Sequence, residues 1–250
     1  MIQFRFVFPT RREFKQDFYR PGAISLKRIL WGSFGAGILL FIIGIFSRTF
    51  QVGVLYPPLA ATCFINATCV YLRVARPKSI IVGHFVSAIG GVLAVCVGES
   101  LFGGTRFAIP INLGMAVLLA AVFMQIFDAD HPPAAATAAI PVILPLPTSA
   151  LLLPLHMAWG SVIAVLFAFA WNRIRFEWPP PDLQCRVPRF NLHMEKADFF
   201  GTGICILGFL LMCVKPWLDI IYKVGLFIML AGIIVLATHP FFKIELVREK

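Results

Sequence analysis

Several polar side chains sit inside stretches that are otherwise apolar: Asn66, His84, Glu99, Asn112, Gln125 and His156. Groups of this kind are expensive to bury in hydrocarbon, so by default they line a path or pair with one another. Glu99 and Gln125 fall near the ends of their apolar stretches, where an interfacial position also suits them. The densest polar cluster is Asp128-Ala129-Asp130-His131-Pro132-Pro133. Its structural reading is a helix cap, with Asp130 or His131 ahead of a helix that opens on proline. Its functional reading is a gate or proton relay through Asp128, Asp130 and His131, because an imidazole beside carboxylates titrates near neutral pH. The two readings are compatible.

A repeated segment carries the functional expectation. Pro57-Pro58-Leu59-Ala60-Ala61-Thr62 recurs as Pro132-Pro133-Ala134-Ala135-Ala136-Thr137, and each copy is followed at similar spacing by a histidine, His84 or His156. Proline suits the first turn of a helix, where its missing N–H is no loss. Each Pro-Pro therefore predicts a helix start within or near the membrane, whose free N–H groups and dipole favour an anion. Small side chains at Ala60, Ala61, Ala135 and Ala136 would let an ion approach the backbone, and Thr62 and Thr137 add hydroxyls. Proline kinks and alanine-rich faces also serve packing alone. Two copies in register favour the functional reading.

Composition dictates what must position these groups. The 250 residues are 59% hydrophobic and only 14% charged, where a soluble domain is typically about 25% charged. Candidate spans are Ile29–Phe46, Val52–Leu72, Ile80–Phe102, Phe107–Phe127, Pro132–Leu146, Leu151–Trp171, Phe199–Val214 and Trp217–Ala237. The fifth is short and proline-rich and is open to a re-entrant or broken form. Eight full crossings put nearly every Lys and Arg on one side, leaving Arg48, Arg106, Lys215 and Lys223 opposite. The positive-inside rule then places both termini in the cytoplasm, and full crossing is favoured for the fifth segment.

The net charge of +10 is accounted for by topology and anionic lipid, with no nucleic-acid partner required. No signal peptide is expected ahead of the first span. Cys63, Cys69, Cys96, Cys205 and Cys213 lie in apolar spans and Cys185 in a loop, without CxxC spacing. Neither disulfides nor a metal site is expected. The expected fold is an all-α polytopic transmembrane bundle. A basic arm (1–28) leads into a core (29–172) of two inverted three-helix repeats, about 29–102 and 107–172. A cytoplasmic loop (173–198) and a C-terminal helical hairpin with its tail (199–250) follow. An odd number of spans per repeat inverts the second, a frequent plan in transporters. The expected location is a bacterial inner membrane. Ser33 and Gly37 form a small-residue face suited to a homo-oligomer contact.

Asp130-His131-Pro132-Pro133-Ala134-Ala135-Ala136-Thr137, with Arg76-Pro77-Lys78-Ser79-Ile80-Ile81-Val82-Gly83-His84 upstream, resembles the HPP family of integral membrane proteins. The family is named for the motif here formed by His131, Pro132 and Pro133. Members often read HPPGAT where this chain has Ala134-Ala135-Ala136-Thr137. They often carry Gln and Asn where it has Arg76 and Ser79, and PFGAS where it has Pro58-Leu59-Ala60-Ala61-Thr62. The likeness covers roughly residues 25–172. Some members are described as nitrite transporters in plastids and cyanobacteria, so the resemblance implies transport of a small monovalent anion.

The expected site is therefore Pro58, Ala60, Ala61, Thr62, Asn66, His84, Asn112, His131, Pro132, Pro133, Ala135, Ala136, Thr137 and His156, around an inorganic anion near the midplane. No catalytic residue and no cofactor is expected. A membrane enzyme would need a nucleophile or metal set at one depth, and the sequence has no HExxH. A bis-histidine haem would need two histidines on one side, whereas His84 and His156 fall on opposite sides. Two further functions fit the same residues: a cation- or proton-coupled carrier of another solute, and a non-transporting assembly protein.

Overall fold

The computed structural model describes residues 2–6, 26–69, 72–144, 146, 149–174 and 196–246. The readings made for most of the basic arm, for the cytoplasmic loop with Cys185, and for the last residues of the tail lie outside them. Long apolar runs become helices α1 (Leu26–Thr49), α3 (Pro77–Phe102), α4 (Ala108–Ile126), α7 (Leu153–Ile174) and α9 (Asp219–Thr238). Among the described residues, five helical stretches are long and apolar enough to cross a membrane: Ile29–Thr49, Pro77–Phe102, Ala108–Ile126, Ala150–Trp171 and Asp219–Phe241.

The remaining apolar segments hold shorter helices. The second, read as Val52–Leu72, contains a 12-residue helix α2 (Pro57–Thr68), about 18 Å long against a hydrocarbon layer of about 30 Å. Proline sets its start: Tyr56 before it is extended, as a residue preceding proline prefers. The fifth breaks into α5 (Pro132–Ala135), a 3-10 turn (Ala136–Ala139) and α6 (Ile140–Ile143). Pro141 removes one helical donor there. Helix α8 (Lys196–Met212) has 17 residues.

Contacts sort the helix ends into two sets. At one end, Trp31 of α1 stacks on Trp171 of α7 with ring centroids 4.1 Å apart. The short 3-10 turn Arg73–Ala75 before α3 meets the loop after α4 through the Arg73–Asp128 ion pair. Phe127 meets Phe241 just beyond α9, and His239 bonds Asp198 of α8 at 2.5 Å. At the opposite end, Phe50 after α1 packs on Trp159 of α7 and Trp217 before α9. Asn112 of α4 bonds Glu99 of α3 there, and Lys215 between α8 and α9 donates to the carbonyl of Gln51 at 2.5 Å. The described residues therefore run from one end to the other eight times. Short helices extended by non-helical backbone make two of those passages, and Val52 and Val54 in the first such stretch are fully buried.

α3 and α7 are the most buried of the long helices, and α1 and α4 are peripheral. The outward faces carry Phe34, Phe41, Leu101, Leu118, Phe199, Ile220 and Phe227, the surface expected of a protein solvated by lipid. This is an integral membrane protein. The all-α expectation needs one amendment: β1 (Ile2–Phe6) pairs antiparallel with β2 (Phe242–Leu246), Ile2 opposite Leu246. Both segments alternate apolar and polar residues, a strand period that the span search does not detect.

Candidate functional site

α2 buries one face, with Pro58, Leu59, Thr62, Cys63, Asn66 and Ala67, and turns Ala60, Ala61 and Phe64 outward. α3 passes beside the HPP segment at backbone distance. A Cβ on Gly83 would lie 2.9 Å from the carbonyl oxygen of Ala129 and 3.1 Å from Cβ of His131. A Cβ on Gly91 would lie 2.2 Å from the carbonyl oxygen of Ala138. The two glycines therefore let residues 129–138 lie directly against α3. That brings His84, which follows Gly83, into line with Thr137, which precedes Ala138.

The result is a buried polar chain. Nδ1 of His131 lies 2.6 Å from the carbonyl oxygen of Val74. Its Nε2 lies 2.9 Å from Oγ1 of Thr62. That oxygen is 2.7 Å from Nε2 of His84, and Nδ1 of His84 is 2.7 Å from Oγ1 of Thr137. All four side chains are fully buried. The rings of His84 and His131 meet edge-on with centroids 5.2 Å apart.

The Val74 carbonyl fixes the protons. A carbonyl only accepts, so Nδ1 of His131 donates to it, and Nε2 of a neutral His131 must accept. Thr62 then donates to His131. With its single proton used, Thr62 accepts from Nε2 of His84, whose Nδ1 accepts from Thr137. One polarity satisfies every bond with both imidazoles neutral, which is what a dry site demands of its polar groups.

The other expected residues divide clearly. Asn66 lies one turn beyond Thr62 on the buried face of α2. Pro133 is buried, but Pro132 and Ala136 are exposed and Ala135 is half-buried. Ala60, Ala61 and Ala136 thus face out of the bundle and do not line the polar centre. Asn112 donates to Glu99 at 3.3 Å at the far end of α3, about 20 Å along the helix from His84. His156 is also remote, and its Nε2 lies 2.7 Å from the hydroxyl of Tyr222 on α9. Asp128 adopts a left-handed backbone with φ of 52°, which aspartate tolerates better than most residues, and it pairs with Arg73. Asp130 lies between that pair and His131 in the chain. The polar centre is thus built from side chains. The interrupted segment after Pro132 is too short in each piece to offer much of a helix dipole.

Sequence reasoning missed three contributors. The Val74 carbonyl orients His131, and Tyr222 engages His156. Ser87, one turn along α3 from His84, is buried with no hydrogen-bond partner for its hydroxyl among the described residues. Its spacing from His84 was a usable signal. Tyr222 carried none, because the placement of α9 is a tertiary outcome. Tyr222→Phe is expected to cost about 1 kcal/mol of stability, read as a lower melting temperature in detergent. An unchanged melting curve would mean that the bond contributes nothing.

The family model for the HPP transmembrane region matches residues 21–179. The chain belongs to the HPP family. All four residues of the buried chain fall within the match, and α8 and α9 fall outside it. The HPP motif itself supplies His131, whose ring closes one end of the buried chain, and the two prolines that start α5. No curated protein and no solved structure matches this sequence.

Proposed function

We propose that this HPP protein carries a small monovalent anion of the nitrite type across a membrane. The observation that carries the reading is the Thr62–His84–His131–Thr137 cluster. None of the four side chains is acidic, and all are buried where the two short helical segments meet, with the unpartnered hydroxyl of Ser87 one turn from His84. Such a centre suits an anion and offers a bare cation little. His84 stands about 10 Å from the start of α3 by helix rise, toward the end that carries Arg73, Arg76 and Lys78. The positive-inside rule puts that end in the cytoplasm of a plasma membrane.

The chain order supports an inverted-repeat architecture. α1–α3 and α4–α7 each run long, short, long, and they start from opposite ends of the bundle. Thr62 and Thr137 hold equivalent places in the two halves, and His84 corresponds to His156. The symmetry is broken in use: both threonines bond His84, while His156 is engaged by the C-terminal hairpin. One half then supplies the ion-facing histidine, and the other supplies a contact near the opposite face. Alternating exposure of a site between such halves is how many transporters work.

The test is uptake of nitrite, nitrate, chloride and formate into vesicles holding the purified chain, with protein-free vesicles as baseline. Saturable uptake of at least one of these anions, weakened at least tenfold by Thr137→Val, is the expected result. Absence of protein-dependent uptake for all four, from folded protein in both orientations, would overturn it.

A further inference from the structure

A single hydroxyl decides how many protons the buried chain holds. Oγ1 of Thr62 lies within hydrogen-bonding distance of three atoms: Nε2 of His131 at 2.9 Å, Nε2 of His84 at 2.7 Å and the carbonyl oxygen of Pro58 at 3.2 Å. In the neutral arrangement, Thr62 donates to His131. If Thr62 turns its proton to the Pro58 carbonyl, Nε2 of His131 must carry a proton and donate to Thr62 instead. Nδ1 of His131 is already committed to Val74. His131 is then an imidazolium, and Thr62 accepts from both histidines while donating to Pro58. Every hydrogen bond is satisfied in this state as well. The site therefore has two complete bonding patterns that differ by one proton.

From this geometry we infer that the protein cotransports one proton with each anion, the proton residing on His131; the inference rests on the anion reading above. An imidazolium fully buried in a dry site is strongly disfavoured without a counter-charge. The charged groups of the neighbouring segments are Arg73, Arg76 and Lys78 around the start of α3 and Asp128 and Asp130 in the loop that carries His131. His84 faces it from α3, and Arg73 from the turn before α3 is paired with Asp128. Asp128 and Asp130 share its loop, near the basic end of the bundle. An anion held by the buried, unpartnered hydroxyl of Ser87, one turn along α3 from His84, would supply the missing charge, and an anion alone there would suffer the same desolvation. Together the two ions are neutral, so each promotes binding of the other.

The proton can arrive along the chain. A proton from water transfers to Thr137, whose own proton passes to Nδ1 of His84. The Nε2–H bond of His84 then breaks as its proton passes to Oγ1 of Thr62, and the Thr62 proton forms the new N–H bond at His131. His84 is left with its hydrogen on Nδ1, donating to Thr137, and Thr62 donates to the bare Nε2 of His84 in place of the Pro58 carbonyl. This form holds the same number of protons as the Pro58 form and again satisfies every bond in the chain. The chain stops there, because the Val74 carbonyl cannot accept a proton. Release to the cytoplasmic side requires His131 to leave Val74, which blocks a steady proton leak.

The experiment uses vesicles of the full chain with an entrapped pH dye, nitrite and nitrate as probes, protein-free vesicles as baseline, and membrane voltage clamped with potassium and valinomycin. The expected result has three parts. Uptake rises with an inward proton gradient, is indifferent to the clamped voltage, and brings in one proton per anion with no proton movement when the anion is omitted. His131→Gln, which keeps a donor and an acceptor but takes no proton, should lose proton-driven uptake by tenfold or more. Anion uptake that follows voltage and moves no protons would overturn the cotransport inference and leave anion transport standing. Loss of all protein-dependent anion uptake would overturn both.

Discussion

His84→Ala is expected to reduce anion uptake by one to three orders of magnitude, with His84→Gln recovering part of it. His84 is the only side chain that touches both threonines of the buried chain among the described contacts. Removing its ring leaves Thr62 and Thr137 each short of a partner in a fully buried position. An orphaned buried polar group costs about 1–3 kcal/mol, and about 1.4 kcal/mol is a tenfold change. Two orphans and a new cavity therefore suffice for the expected loss, and the same terms lower the melting temperature. Glutamine separates the two effects. Its amide offers one donor and one acceptor on a side chain of similar reach, so it can bridge the threonines and restore the fold without an ionisable ring. A His84→Gln protein that melts like wild type but transports poorly would assign the ring a role in the ion path. A His84→Ala protein with normal uptake would remove the buried chain from that path altogether.

What could be read in the sequence was what the pattern of residue types constrains locally. Apolar runs gave the five long spans, since hydrocarbon selects on composition over a fixed length. The paired prolines gave the starts of α2 and α5, since proline acts on its own turn. His84 stood out because burying it is costly, Thr62 and Thr137 through the repeated segment and His131 through the polar cluster around it, and the fold gathers those four. The rest depended on distances between segments. Val52–Leu72 looked like one span because Val52 and Val54 are as apolar as any helix residue, although the helix begins only at Pro57. The PPxAAT pattern gave no phase, so Ala60, Ala61 and Ala136 were assigned to a cavity although helical rotation turns them outward. Asn112 and His156 carried the same signal as His84, but their partners, Glu99 and Tyr222, lie on other helices.

The second large effect is expected at a position with no chemistry of its own. Gly91→Val should lower stability by about 1–3 kcal/mol or more, the range for overpacking a filled interior, and uptake should fall with it. In an isolated helix the change would be mildly favourable, because glycine is a poor helix residue. Here the new Cβ would lie 2.2 Å from the Ala138 carbonyl oxygen and 2.9 Å from two other backbone atoms of Ala138. Backbone cannot swing aside as a side chain does, and Ala138 is itself fully buried. The 3-10 turn must therefore shift away from α3, carrying Thr137 with it. A shift of about 1 Å is enough to break a hydrogen bond that begins at 2.7 Å. Gly114→Ala on α4 is the control, because a Cβ there meets nothing within 4 Å, and it should melt no lower than wild type and transport normally. If Gly91→Val also melts and transports normally, the close approach of α3 to the HPP segment is not what holds Thr137 against His84. If stability falls but uptake per folded molecule does not, the approach is structural only and the ion path lies elsewhere.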